Sequence, residues 1–276
     1  MFASTELREW RWLEHPIRTP LLGARAFDLE TRGSRAWVAT DRGVARIDTR
    51  SDRDLRFWSG TNGLPSDYTF AVAPREGGAW VGTGRGLVYI SDSARTSQAR
   101  ASDVSEIVAP GVTVRALMLT GDTLWMGTDA GLLLLPPVAD PDSARPVRPS
   151  VLDAEPRLRS QVTALGSSDS LVVIGTRDAL VRLDLRSGRL LPRLLAPDVG
   201  QVGAIEKVAV DRRAIWISGP RGVLAITRGT DVGRFLPAFG AFAGRVTDIV
   251  LTEEFAWIAT DAGVVRLRRG IDGLPR

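Results

Sequence analysis

Cysteine is absent from the 276-residue chain, which excludes disulfides and thiol-based catalysis. Histidine occurs once, as His15, so zinc and similar metals lack their usual ligands. One histidine beside Pro16, near the start of the chain, also gives no basis for a Ser–His–Asp triad. We therefore expect no metal site, no cofactor and no catalytic residue.

Long apolar runs are also missing. No stretch reaches the roughly 18 residues that a membrane-spanning helix needs, and the run LLLLPPV is ended by prolines. The N-terminal residues MFASTELREW have no apolar segment after a basic start, unlike a secretory signal. The sequence thus favours a cytoplasmic location, with peripheral membrane contact left open.

Lysine is nearly absent, because Lys207 is the only one among 36 lysine and arginine residues. These oppose 32 aspartate and glutamate residues, giving a net charge of +4. Arginine-rich surfaces suit acidic protein partners and anionic lipid head groups. The low net charge and the lack of a known reader motif argue against nucleic acid.

What the sequence does contain is one pattern repeated six times. The stretch TLWMGTDAGLLLL, from Thr123, has five counterparts along the chain. Their anchor positions recur every 41 to 48 residues: Trp37, Trp80, Trp125, Val173, Trp216 and Trp257. A period in the forties indicates a repeat architecture in which each unit packs on its neighbours. We predict that the recurrent tryptophan packs between units rather than binding a ligand.

Each unit has the features of consecutive β-strands. An alternating apolar run precedes the tryptophan strand, and an Asp/Gly turn leads into a further strand. Four antiparallel strands, repeated six times, predict an all-β, six-bladed β-propeller in one domain, 1–276. The predicted blade cores lie near 24–58, 68–92, 112–136, 161–194, 204–228 and 245–268. The stretch LREWRWL, with a strand near 7–13, is predicted to complete the last blade and close the ring.

The motif W-[VIM]-[GA]-T-[DG]-x-G-[LV], with NGLPSD at Asn62 and DGLP at Asp272, resembles the two-component regulator propeller repeat. The resemblance covers Ala24 to about Leu267 and implies a β-propeller of the type found in sensory hybrid histidine kinases. Two units depart from the motif, with Val173 for tryptophan and Ser218–Gly219 for Gly–Thr. Those sensors usually carry more repeats, an immunoglobulin-like module, a membrane span and a kinase, none of which this sequence contains.

Two segments interrupt the repeat and are candidates for partner binding. The proline-rich insertion at 136–159, with Arg145 and Arg148, is either an interaction arm or a flexible linker. The stretch RFLPAFGAFAGR, from Arg234, combines an outer strand with Phe239 and Phe242. These two phenylalanines either pack on the blade or form an exposed apolar anchor.

Arginines at the turn between the second and third strands point to the same partner-binding face. Arg42, Arg85 and Arg221 occupy equivalent turn positions in units one, two and five. In a propeller this turn and the loops between blades share one face, so we expect Phe239 and Phe242 beside these arginines. A protein partner or an anionic membrane surface would suit such a face.

The sequence therefore predicts a non-enzymatic binding or scaffold propeller. Its most specific form is an extrinsic subunit that docks on a larger, possibly membrane-embedded complex, such as a photosynthetic or respiratory assembly. The alternative is a ligand-sensing propeller of a two-component system. A minor alternative is a carboxylate-based enzyme, which would require acidic side chains converging on the centre of the ring.

Overall fold

The computed structural model describes residues 21, 23–50, 55–92, 99–137, 140–149, 155–192, 199–238 and 244–276. These residues form six antiparallel sheets, which we call blades 1 to 6 in chain order. The part of the chain so described contains no α-helix, only short 3-10 turns. The predicted all-β class is confirmed.

The first three blades span the first half of the chain. Blade 1 comprises β1 (Ala26–Arg32), β2 (Arg35–Thr40), β3 (Gly43–Asp48) and β4 (Leu55–Trp58). Blade 2 comprises β5 (Thr69–Arg75), β6 (Gly78–Thr83) and β7 (Gly86–Ser91). Blade 3 comprises β8 (Val114–Thr120), β9 (Thr123–Thr128) and β10 (Gly131–Leu135). The 3-10 turns here are Gly60–Asn62, Ala101–Asp103 and Pro141–Ser143.

The last three blades repeat this order. Blade 4 comprises β11 (Val162–Ser168), β12 (Leu171–Thr176), β13 (Leu180–Asp184) and β14 (Arg189–Leu190). Blade 5 comprises β15 (Lys207–Val210), β16 (Ala214–Gly219), β17 (Gly222–Thr227) and β18 (Gly233–Pro237). Blade 6 comprises β19 (Val246–Leu251), β20 (Phe255–Thr260) and β21 (Gly263–Arg268). The 3-10 turns here are Pro156–Arg159 and Val199–Val202.

The first strand of each blade lies at the centre of the arrangement. These inner strands, β1, β5, β8, β11, β15 and β19, pack side by side in that order. Within each blade every strand pairs with the next one along the chain. The six sheets therefore succeed one another around a common centre.

Four strands were predicted in every blade, but the described residues of blades 2, 3 and 6 form only three. In blade 3, a single bridge between Leu134 and Val147 takes the place of the outer strand. Pro146 and Pro149 flank Val147, and proline has no N–H with which to extend the ladder. Part of the proline-rich insertion is therefore held against its blade, where Ala144 is buried.

The recurrent tryptophan packs between blades, as predicted. Trp37, Trp80, Trp125 and Trp216 are all at most 4% exposed. Each belongs to a core formed with the next blade along the chain; Trp80, for example, packs with Leu124 and Met126 of blade 3. Val173 occupies the same position in blade 4 and packs with Ile215 and Ile217. The repeat motif is therefore the packing core of each inter-blade interface.

Blade 6 differs because one of its faces is open. Ala256 and Ile258 are buried against blade 5, whereas Trp257, which alternates with them, is only half-buried. On the same face as Trp257, Val250 is 53% and Val264 is 63% exposed. Among the described residues, β19 and β1 do not pack side by side as the other inner strands do. Among the described residues, blades 6 and 1 thus lack the side-by-side packing that joins the other successive blades.

The turn of the repeat, which is Thr-Asp-x-Gly in blades 1, 3 and 6 and Thr-Gly-x-Gly in blade 2, is stabilised by its own side chains. In blades 1, 2, 3 and 6 the threonine hydroxyl donates to the carbonyl of the turn glycine at 2.6–2.9 Å. The same hydroxyl also accepts a hydrogen bond from the N–H of the residue just before the glycine. In blade 1 this residue is Arg42. The aspartate carboxylate, for example Asp41, accepts the N–H of Arg25, which precedes the inner strand. This motif therefore serves the fold.

Candidate functional site

A β-bulge near the start of the inner strands directs side chains to the common centre of the six sheets. The strand register shifts by one residue at Phe27, Phe70, Arg115, Thr163 and Thr247. Glu206 directly precedes the inner strand of blade 5. A bulge re-aims the extra residue away from the ladder. These six residues, one from each blade, all line a single cavity of about 320 Å³.

We call this cavity the central pocket. Arg25, Gln161, Lys207 and Arg245 contribute further polar groups to the lining. The mouth lies where the inner strands begin, beside the exposed side chains of Arg25 and Arg245. The pocket is at the lower end of the roughly 300–1,000 Å³ typical of small-molecule sites.

One wall of the central pocket is a row in which two aromatic rings lie between two guanidinium groups. The Arg25 guanidinium lies 5.4 Å from the centre of the Phe27 ring. The Phe27 and Phe70 rings are 5.3 Å apart, and the Arg115 guanidinium lies 5.3 Å from Phe70. Such cation–aromatic contacts hold a guanidinium in place without neutralising its charge. This row connects blades 1, 2 and 3.

On the opposite wall of the central pocket, two charged side chains form an ion pair. Glu206 accepts two hydrogen bonds from the Arg245 guanidinium, at 2.9 and 2.8 Å. This pairing raises the pKa of Arg245 above its usual value. Lys207 donates to the backbone carbonyl of Phe27 at 3.0 Å and so joins blade 5 to blade 1. The charged groups on this wall are therefore largely engaged in contacts within the protein.

Acidic groups lie at the centre of the ring, next to Lys207. Burial raises the pKa of Asp28, while Lys207 and the N–H of Val72 oppose the shift. Burial, together with the nearby Asp28 and Asp248 carboxylates, raises the pKa of Glu30 to about 7. A substantial fraction of Glu30 is therefore protonated at neutral pH.

Arg42, Arg85 and Arg221 lie at the same kind of turn and are exposed, as the sequence suggested. Each turn precedes the third strand of its blade, at the end of the sheet where the inner strand begins. Arg221 donates to the Gly200 carbonyl at 3.5 Å. These three arginines and Arg25 lie on the side of the molecule where the central pocket opens. We call this side the channel-mouth face.

The other residues predicted to bind a partner lie in different places. The Arg148 guanidinium donates to the Ala130 carbonyl at 3.4 Å, which places it at the turn of blade 3 on the channel-mouth face. The Arg145 guanidinium binds the carbonyls of Asp142 and Ala144 within its own insertion. Phe239 and Phe242 lie outside the described residues, and so does the closing strand predicted near 7–13.

The sequence analysis did not predict the six side chains that line the central pocket at the bulge positions. Strand alternation assigns every second residue to each face, and an inserted bulge residue breaks that rule. One signal was present: the residue at the position that lines the pocket varies widely among the repeats. This position holds phenylalanine, arginine, threonine or glutamate, whereas the packing positions keep small or apolar residues.

Neither a membrane-spanning helix nor a metal-binding cluster is found among the described residues. No helix there is long and apolar enough to cross a bilayer. No group of three or more histidine, cysteine, aspartate or glutamate side chains in this part of the chain could hold a metal ion.

No protein-family model and no curated protein matches the sequence. Solved structures do share its fold. Virginiamycin B lyase from Staphylococcus aureus is 13% identical, with a TM-score of 0.66 over 90% of this chain and 81% of the lyase. The extracellular domain of BT3049 from B. thetaiotaomicron, assigned to a hybrid two component system, is 14% identical with a TM-score of 0.67. PorZ of the Porphyromonas gingivalis type-IX secretion system is 15% identical with a TM-score of 0.60.

The coverage of these structures is unequal. This chain aligns over 88% of its own length with BT3049 and with PorZ, but spans only 33% and 31% of those chains. At such low identity the similarity shows a propeller-like fold and nothing about ligand or partner.

Proposed function

We propose that the chain is a non-catalytic binding propeller that docks by its channel-mouth face on an acidic surface of a larger complex. The observation that carries this proposal is the set of exposed turn arginines, Arg42, Arg85 and Arg221. The turn does not need arginine, because Ala130 and Ala262 make the same backbone hydrogen bond in blades 3 and 6. Because alanine is sufficient for the turn at this position, the presence of arginine in three blades favours a role in binding.

The chemistry of the arginine side chain supports an acidic partner. Guanidinium groups form paired hydrogen bonds with carboxylates and phosphates and remain charged at any physiological pH. We propose an extrinsic subunit of a membrane-embedded assembly, with photosynthetic and respiratory complexes as examples. Arg148 lies on the same face and extends the basic surface across blade 3.

A second candidate function is ligand sensing, and the central pocket favours it. The BT3049 domain, assigned to a two component system, has a similar fold. The minor alternative of an enzyme would depend on Glu30, whose pKa of about 7 suits a general acid or base. Asp28 and Lys207 instead form hydrogen bonds with backbone groups of other inner strands. These two bonds support a structural role for the acidic centre.

We further propose that the six sheets close into a six-bladed propeller, with residues 7–13 completing blade 6. Support comes from the exposed Val250 and Val264 on the face of blade 6 that lacks an inter-blade core. A closing strand beside β21 would restore the four-strand pattern of blades 1, 4 and 5. An experimental structure with 7–13 away from β21 would contradict this proposal.

Site-specific photo-cross-linking in the cells that encode the protein tests the docking face. We expect a benzophenone side chain at position 42, 85 or 221 to form one recurring cross-linked product with an acidic partner protein. Matched controls replace Arg32, Arg186 and Arg212, which are exposed arginines on the opposite face: Arg32 ends β1, and the other two lie in turns. Cross-links from the control positions alone, or equal yields from both faces, would contradict the proposed docking face.

A further inference from the structure

We propose that the central pocket binds a small aromatic carboxylate, and that the positive charges of Arg25 and Arg115 attract the carboxylate. This ligand site is independent of the docking function proposed above. It rests on the row formed by Arg25, Phe27, Phe70 and Arg115, which lines one side of the pocket.

The two arginines of the row have charge available for a ligand. Neither guanidinium lies within ion-pair distance of a carboxylate in the described part of the chain, whereas Arg245 is fully engaged by Glu206. The Arg115 Nε atom is buried and has no hydrogen-bond partner among the described residues. The missing partner leaves the Arg115 charge uncompensated among the described residues.

The aromatic part of the ligand follows from the two rings between these arginines. Phe27 and Phe70 meet at an interplanar angle of 47°, and tilted aromatic groups of this kind accept a further ring by edge or offset contact. Phe27 and Phe70 are both half-buried, which leaves apolar surface accessible from the pocket. Gln161 and Thr163 on the facing wall add polar groups that can orient a ligand.

The size and position of the pocket limit the ligand to a small molecule. A volume of about 320 Å³ accommodates a single-ring carboxylate and excludes a folded peptide. Further along the same inner strand, the repulsion of Glu30 by the Asp28 and Asp248 carboxylates, which contributes to its raised pKa, shows that another negative charge is disfavoured there. The carboxylate is therefore expected to stay at the mouth, on the side of the pocket that carries Arg25 and Arg115.

Calorimetric titration of the full chain with benzoate, and with neutral benzamide of nearly the same shape, tests this site. We expect benzoate to bind with a millimolar or lower dissociation constant and benzamide to bind at least about tenfold more weakly. Arg25→Gln and Arg115→Gln should each weaken benzoate binding by about tenfold or more. Arg85→Gln removes the same charge from the channel-mouth face outside the pocket and should leave binding within about twofold.

The Arg115→Gln variant needs a test of folding, because Arg115 packs on Phe70. Arg25 is exposed, and its structural hydrogen bonds come from its backbone, so Arg25→Gln keeps the fold and suffices on its own. No benzoate binding to the wild-type chain at about 10 mM would overturn the proposal. Equal binding of benzoate and benzamide, or an Arg85→Gln loss as large as that of Arg25→Gln, would also overturn it.

Discussion

Replacement of Trp216 by alanine is expected to lower the free energy of unfolding by about 3–5 kcal/mol, the typical cost of removing a large buried side chain. Trp216 is completely buried and packs with Ile249, Ala256 and Ile258 of the next blade. Its indole N–H also donates to the Gly273 carbonyl at 3.1 Å, which connects blade 5 to the C-terminal segment. Equilibrium unfolding in urea measures this loss.

Trp257→Ala is the matched control for Trp216→Ala. Trp257 has the same position in blade 6, but it is half-buried and contacts Phe255 and Arg266 of its own blade. Its removal should cost clearly less, about 1 kcal/mol, because less apolar surface is buried and little cavity is left. Equal losses in the two variants would contradict the account of the repeat as an inter-blade packing motif.

Asp92→Asn is expected to destabilise the chain by about 3–5 kcal/mol, because it removes the charge that compensates a buried arginine. The Asp92 side chain is fully buried, and it forms ion pairs with Arg46, which is 2% exposed, and with Arg35. The Arg56 guanidinium lies 3.8 Å away. Since Asp92 follows the last strand of blade 2 and all three arginines belong to blade 1, the group joins two blades. The midpoint of urea unfolding reports the effect.

Asp169→Asn makes the same chemical change at an exposed ion pair. Asp169 lies 3.3 Å from Arg212, whose side chain is 85% exposed. The Asp169 φ of 54° is left-handed, and asparagine tolerates this conformation as well as aspartate does. We expect a loss of at most about 1 kcal/mol. A loss for Asp92→Asn no larger than for Asp169→Asn would show that the buried pair contributes little.

The architecture was predictable because its physical causes repeat along the chain. A blade must bury both faces against neighbours, so the tryptophan and the Thr-Asp-x-Gly turn recur at a fixed period. The glycine before the threonine has a similar origin: a Cβ on Gly82 would lie 2.8 Å from the Val114 side chain of the next blade. Periodic constraints of this kind can be recognised in one sequence without any alignment.

The central pocket could not be predicted in the same way. Phe27, Phe70 and Arg115 reach the centre only because a bulge breaks the two-residue alternation of each inner strand. A bulge arises from backbone pairing with the second strand and has no marker residue in this sequence. The ion pairs around Asp92 were missed for a related reason, since they join residues that are distant in sequence.

The proline-rich insertion shows a third limit of sequence reasoning. Its prolines correctly indicated a break in strand pairing, but an arm and a linker could not be separated on composition. The contact that decides the position of 140–149 is a pair of backbone hydrogen bonds between Leu134 and Val147, together with the burial of Ala144. A single bridge of this kind leaves no periodic pattern in the sequence.

The measurement that tests the central claim most directly is co-purification of the native protein from membrane and soluble fractions, with matched charge-reversal variants. The wild-type chain should recover its partner complex in stoichiometric amounts. A triple variant with Arg42→Glu, Arg85→Glu and Arg221→Glu should lose it, because each reversal replaces attraction by repulsion. The opposite-face triple variant Arg32→Glu, Arg186→Glu and Arg212→Glu should retain it. A wild-type monomer without a partner in either fraction, or equal loss in both variants, would contradict the proposed docking function.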